Sequence, residues 1–340
     1  MNKKLLSIFK FLFFLSLGIF LVWLSVKDFT AADLDHFYRA IQMADYSWII
    51  LSMLLGVLSH FLRAVRWVML LEPVGYKPST RNTFFAVMVG YLANFAFPRL
   101  GEVTRCGVLT KYEKIPFPVS FGTVIVERTF DMLCLFLIFV YVILAEYDRI
   151  QDLAREYILN PAGEKFNSLM ANTAFMWAAA GIFVATLAIF IVYRKKINAK
   201  VSGKPREIIS GFWKGLISVK NLRSPGWFLM HTAFIWILYY VMLHVCFFSF
   251  SETSGLDVGQ GLSVLIMGAV GVIFTQGGIG AYQFLVTKTL ASPLAGISLP
   301  IAGAFSWIVW ASQFVTLVLV GLISLILLPI LNRDKSGNDV

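Results

Sequence analysis

Arg99, Glu102, Arg105, Glu127, Arg128 and Asp131 stand close together inside otherwise apolar sequence. Three are cationic and three anionic, so the set is neutral. Mutual pairing can therefore offset much of the cost of removing these charges from water. An ionisable residue at the centre of a membrane helix costs about 2.5–3.5 kcal/mol on insertion scales, which makes each one a functional candidate. Spacing predicts pairs within single helices. Glu102 and Arg105 are three apart, as are Arg128 and Asp131, and such residues share a helix face. Arginines flanked by carboxylates suit a phosphate, with a carboxylate left over for a cationic headgroup. The alternative is a set of internal salt bridges that only holds a turn together. Arg99 and Glu102 flank Leu100 and Gly101, just after Pro98. Charge beside a backbone turn at membrane depth lines a cavity, because irregular backbone is tolerated there only against protein or water.

A second cluster reads Thr275-Gln276-Gly277-Gly278-Ile279-Gly280-Ala281-Tyr282-Gln283. No strand or βαβ unit surrounds it, so it is not a dinucleotide fingerprint. Glycines at a turn let the backbone bend and approach another group closely. A half-helix that starts after each turn, near Gly101 and near Gly280, would direct free N–H groups and partial positive charge at an anion. Asn94, Gln276, Tyr282 and Gln283 would add neutral hydrogen bonds. Arg63 and Arg66, followed by Trp67, read either as an interfacial basic and aromatic belt or as headgroup capture. Cys106, Cys134 and Cys246 form no CxxC pair, and four histidines show no metal-ligand spacing. No cofactor or metal is expected.

These residues need elements to hold them. The chain has 340 residues, 58% hydrophobic and 14% charged, with net charge +10; mean hydropathy is +0.76. Soluble domains run at about 25% charged, so a soluble enzyme is excluded. The basic excess reads as cytoplasmic flanks and anionic-lipid contact, not nucleic acid. Lys3 and Lys4 precede a long apolar stretch without a small-x-small cleavage site, which predicts an uncleaved first span over 5–26. Further apolar stretches run over 46–71, 83–98, 121–145, 166–193, 227–250, 262–275, 279–291 and 299–329. The third stretch ends at Pro98 and the seventh at Gln276-Gly277-Gly278. Both are short for ~30 Å of hydrocarbon.

Charge decides whether the short ones cross. If each crosses once, the segment 194–223, with nine Lys and Arg, falls outside and violates the positive-inside tendency. If each instead enters, turns and returns, that segment and both termini are cytoplasmic. The expected fold is therefore all-α and polytopic, one integral membrane domain over 1–340. It has two re-entrant helical hairpins meeting near the bilayer midplane. Residues 1–146 give span, span, hairpin, span, and residues 166–332 repeat the order from the opposite side, an inverted-topology repeat. A plain eight-span bundle is the rival. Residues 205–221 read as an amphipathic helix on the cytoplasmic leaflet, with Ile208, Ile209, Phe212, Trp213, Leu216 and Ile217 on one face.

The motifs Arg63-x-x-Arg66-Trp67, Gly90-Tyr91-x-x-Asn94-x-x-x-Pro98-Arg99-x-Gly101-Glu102-x-x-Arg105, Glu127-Arg128-x-x-Asp131 and Gly277-Gly278-Ile279-Gly280 resemble the lysylphosphatidylglycerol synthase transmembrane family, also called the flippase-like domain family. The resemblance covers nearly the whole chain. In the family's best-known members this domain precedes a soluble aminoacyl-transfer domain. That domain is not expected here, so the resemblance implies the translocating half and not the synthase. Gln283 stands where many relatives are expected to carry a carboxylate, which argues against a proton-carrying role there.

The expected function is movement of a phosphate-bearing lipid between leaflets of a bacterial cytoplasmic (inner) membrane: a phospholipid, an aminoacyl-phospholipid or a polyprenyl phosphate. Arg99 and Arg105 would hold the phosphate. Glu127, Arg128 and Asp131 would line the path. The expected partner is a lipid with an anionic headgroup, together with a second copy or an envelope-assembly protein. Two alternatives are a lipid-phosphate transferase and a non-transporting subunit of an envelope lipid or glycan assembly complex. The chain has no HExxH or phosphatase pattern for the transferase.

Overall fold

A computed structural model describes residues 16, 18–27, 29–96, 100–145, 222–293 and 295–333, with all their side chains except those of Ala96 and Gln276. Arg99, most of the first expected span, the span at 166–193 and the amphipathic helix at 205–221 lie outside the described residues. What is described is helical, with no strand among these residues. The chain is an all-α polytopic membrane protein.

After a helical stretch at 18–26 come α1 (Ala31–Met43), α2 (Tyr46–Leu71), α3 (Thr80–Ala96), α4 (Leu100–Glu113) and α5 (Phe117–Ala145). The second part adds α6 (Pro225–Phe247), α7 (Val258–Phe274), α8 (Ala281–Ala291) and α9 (Leu299–Leu331). Four helices are long and apolar enough to cross a membrane: α2 with its 3-10 extension to Val74, α5, α6 and α9. Their outward faces carry exposed Met132, Leu133, Phe136 and Leu137 on α5 and Leu319, Leu322, Ile323 and Ile326 on α9. Such stripes belong against hydrocarbon, since water would penalise contiguous apolar patches of this size.

Helix starts follow local chemistry. Asp45 caps α2 by accepting from the Ser47 N–H at 3.0 Å. Asp257 and Gln260 form a capping box at α7. Helix α1 occupies what reads from the sequence as an outer loop. Its capping box, Thr30 with Asp33, is a legible signal. Backbone and hydroxyl hydrogen bonds from Thr30 hold the Asp33 carboxyl below the usual carboxylate range.

The short helices fold back in pairs. In the α3–α4 pair, Asn94 Oδ1 accepts the Gly101 N–H at 2.7 Å. At the open end, Asn82 Nδ2 donates to Glu113 Oε1. Between them Gly90 lies against Gly101, so closely that a Cβ on Gly101 would sit 2.2 Å from the Gly90 carbonyl. In the α7–α8 pair, a Cβ on Gly271 would sit 2.8 Å from the backbone of Tyr282, whose ring covers Gly268. The turn between α7 and α8 uses Gly277, Gly278 and Gly280 at φ +63°, +78° and +77°. Side chains with a Cβ rarely adopt this left-handed region.

The end of α3 approaches the turn between α7 and α8. A Cβ on Gly277 would collide with the ring of Phe95 near the end of α3. Helix α9 clamps both. Trp310 Nε1 donates to the Gly277 carbonyl at 2.9 Å, Trp310 stacks on Phe314, and Phe314 meets Phe95 edge-on at 4.8 Å. If these glycine contacts set the hairpin, Gly101→Val should destabilise the protein by about 3 kcal/mol through overpacking. It should also lower the melting temperature in detergent, measured by loss of the monodisperse chromatographic peak after heating. Gly107→Val, at a position with open space around its Cβ, should leave that temperature nearly unchanged.

Candidate functional site

Helices α2, α4, α5 and α6 converge on two carboxylates, Glu127 and Asp131, one turn apart on α5. Arg63 Nη1 from α2 donates to Glu127 Oε1 at 2.7 Å and to Asp131 Oδ2 at 2.8 Å. Arg66 Nη2 reaches Asp131 Oδ1 at 2.8 Å and lies 3.5 Å from Glu127. From α6, the Tyr239 hydroxyl accepts from Arg63 Nη2 at 2.8 Å and Thr232 accepts from Arg66 Nη1 at 3.2 Å. Arg105 of α4 completes the set through Glu127 Oε2 at 3.2 Å. Its guanidinium lies 4.7 Å from the centre of the Trp67 ring, and Trp67 is itself anchored by Nε1 donating to Thr123 at 2.9 Å. All five charged side chains are buried.

The five are not equivalent. Arg63 and Arg66 each engage both carboxylates, so these four groups neutralise one another. With Arg105, three guanidiniums face two carboxylates, and the hydrogen bonds of Arg105 to Glu127, at 3.2 and 3.4 Å, are the longest from these arginines to a carboxylate. Among the described residues its Nη2 and Nε, both buried, have no hydrogen-bond acceptor. Arg105 lies in the wall of a narrow open cleft, with room for about one water molecule, lined also by Val87, Gly90, Tyr91, Asn94, Gly101, Glu102 and Arg128. Arg128 Nη2 pairs with Glu102 Oε1 at 2.8 Å across the pocket wall. The wall thus carries two guanidiniums, one carboxylate and an amide. Guanidinium groups of this kind have the chemistry to pair with an anion. The carboxylates behind it are fully engaged by arginine, and among the described residues no group of three His, Cys, Asp or Glu could hold a metal ion.

Several sequence expectations change here. The pairs within helices do not form. Glu102 binds Arg128, and Asp131 binds Arg63 and Arg66. Facing helices at depth have no competing water, so long side chains reach across instead of along. Arg63, Arg66 and Trp67 do not form an interfacial belt; they are buried among helices. The described charges are also not neutral, because four guanidiniums face three carboxylates. Nor are the Gly101 and Gly280 amides at the helix starts free. Asn94 occupies the Gly101 N–H, and Gln283 Oε1 accepts the Gly280 N–H at 2.8 Å. Gly277, Gly278, Gly280, Tyr282 and Gln283 sit at the second turn and are not in the pocket wall. There Gly280 packs on the Gly18 carbonyl and Leu21.

Sequence reading missed Tyr239 and Thr232, although two polar residues seven apart in an apolar span mark one helix face. Tyr91, which enters the sequence reading only as part of a motif, lines the pocket, its ring centre 4.6 Å from that of His60.

Glu127→Gln would leave three buried guanidiniums facing one carboxylate. It should cost about 3–5 kcal/mol, as does breaking other buried pairs. Arg105→Gln should cost far less, because Glu127 keeps Arg63 and Arg66. Combining the two should recover part of the loss. Thermal unfolding of all three variants in detergent checks the order.

Comparison with known proteins adds the family. The lysylphosphatidylglycerol synthase TM region matches residues 7–321. A UPF0104 membrane protein of Methanocaldococcus jannaschii is 25% identical over 250 residues, covering 71% of this chain and 68% of that protein. The glycosyltransferase AglD of Haloferax volcanii is 31% identical over 91 residues, 26% of this chain and 15% of that protein. No solved structure matches at a significant level. The match over nearly the whole chain, on spans that hold a buried arginine–carboxylate network, places this multi-pass membrane protein in the lysylphosphatidylglycerol synthase TM region family.

Proposed function

We propose that this protein carries a phosphate-bearing lipid between leaflets and binds its headgroup in the Arg105 pocket. The observation that supports this reading is Arg105 itself: a buried guanidinium with Nη2 unused among the described residues, in the wall of an open pocket. A buried, unsatisfied charged donor is costly, and a phosphate oxygen would satisfy it. Arg63, Arg66, Glu127 and Asp131 then serve as the rigid support that aims Arg105. Asn94 holds the hairpin turn beside the pocket. Arg99, just before Gly101, is assigned to the same phosphate.

In this reading the two helix pairs are re-entrant hairpins, and the chain is an inverted-topology repeat with both termini cytoplasmic. The contact of Phe95 with Gly277 is where the hairpins meet, near the midplane. The second turn, with Gln276, Tyr282 and Gln283, acts as the counterpart against which the first moves. Alternating access between such halves needs no bound cofactor. The family's name and the depth of the charges favour lipid over a soluble anion.

In proteoliposomes, Arg105→Gln or Arg99→Ala should abolish leaflet exchange of the lipid that co-purifies with the wild type, identified by mass spectrometry, while the variant still folds. Unchanged exchange in both would sink the site. A second reading draws on the partial similarity to a glycosyltransferase: a subunit serving lipid-linked glycan assembly without moving lipid itself. It expects silent pocket variants and a glycosyltransferase that co-purifies.

A further inference from the structure

The Glu102–Arg128 pair differs from the network behind it. Its side chains are 22% and 36% exposed, against at most 10% for Arg63, Arg66, Arg105, Glu127 and Asp131. It lines the same pocket as Arg105. Around it the surface is apolar and open. Val103 follows Glu102 on α4, and Met132 lies one turn beyond Arg128 on α5, with Phe136 one turn further; all three are exposed. This is a face that hydrocarbon would cover, and the ion pair interrupts it. The pair and Arg105 also carry buried hydrogen-bonding atoms without partners. Among the described residues, Glu102 Oε2 lacks a donor, and Arg128 Nε, Arg105 Nε and Arg105 Nη2 lack acceptors. A ligand that satisfied all of these would bring both an anion and an N–H donor.

Resting on the carrier reading above, we propose that Glu102 and Arg128 form a lateral gate that opens by exchanging partners with a zwitterionic headgroup, a phosphodiester bearing a primary ammonium. The headgroup phosphate takes Arg128 from Glu102 and is joined by Arg105 Nη2. The ammonium takes the place of Arg128 on Glu102. One ion pair becomes two, and no charge is left bare in a low-dielectric site, where an unpaired charge is most costly. The total charge of the site is the same before and after loading. The acyl chains remain outside, along Met132 and Phe136. An anionic headgroup without an ammonium would open the pair but leave Glu102 without a cation. A quaternary ammonium offers charge but no N–H for Glu102.

The test uses the full chain in vesicles and three labelled lipids that share acyl chains: phosphatidylethanolamine, phosphatidylcholine and phosphatidylglycerol. Wild type should exchange the ethanolamine lipid at least about tenfold faster than the other two, the value of one hydrogen bond to a charged group. Glu102→Gln, which can still hydrogen-bond Arg128, should bring the ethanolamine-to-choline rate ratio down to about one. Glu102→Asp, which keeps the carboxylate, should preserve the preference and decides the matter if the glutamine variant does not fold. Equal wild-type rates for ethanolamine and choline lipids, or faster glycerol-lipid exchange, would overturn the proposal. So would a Glu102→Gln variant whose ratio stays at the wild-type value. Exchange that depends on Arg105 but ignores the headgroup amine would leave the carrier reading standing and this one refuted. Exchange of none of the three lipids would overturn this proposal, and the carrier reading would then stand or fall with the lipid that co-purifies.

Discussion

Two carboxylates bind four helices. Glu127 and Asp131 sit near the middle of α5 and accept guanidinium groups from α2 and α4, while Tyr239 and Thr232 draw α6 to the same arginines. Helices in lipid gain little from the hydrophobic effect on meeting one another, so packing and polar contacts decide how they associate. A buried ion pair need not add net stability. Breaking one is costly, however, and that cost makes the arrangement specific. The network fixes the rotation of each helix about its own axis, because every arginine must point at the same pair of carboxylates.

That constraint sets up the pocket. With Glu127 and Asp131 also engaged by Arg63 and Arg66, Arg105 is held by two long bonds to Glu127, at 3.2 and 3.4 Å, and by the Trp67 ring. It is charged, positioned and incompletely used. The glycine contacts act on the same residue from the other side. Gly90 and Gly101 allow α3 and α4 to approach until Arg105 Cβ sits beside Gly90. A bulkier residue at either position would separate the hairpin and move Arg105 out of line with Glu127. Rigidity behind the pocket and half-exposure at Glu102–Arg128 in front follow from the same geometry.

Much of this was legible in the sequence. Runs such as 46–71 and 299–329 predict α2 and α9 to within a few residues, because length and hydropathy alone decide a span. The brevity of 83–98 and 262–275, each ended by Pro or Gly, predicts helix pairs that fold back. The charged region from Glu102 to Asp131 is the right place to look. Helix α1 was missed although Thr30 and Asp33 announce its start. Asn94 and Gln283 read as ligand contacts; their side-chain oxygens also cap their own turns, because an orphan N–H within reach competes for a nearby amide.

By itself, the sequence determined what depends on residue type and order: an all-helical membrane protein, four of its spans, its two short helix pairs, its family and the stretch where charge is buried. Only the tertiary structure decided which charges meet. Spacing along one helix favours Glu102 with Arg105 and Arg128 with Asp131, yet Glu102 takes Arg128, and Asp131 takes Arg63 and Arg66 from more than sixty positions away. The reason is physical. A local pair leaves a helix's charges facing whatever packs against it, whereas pairing across helices neutralises the interface itself. Which of several arginines is left over, and therefore free to bind a ligand, is a property of that interface and of no single segment.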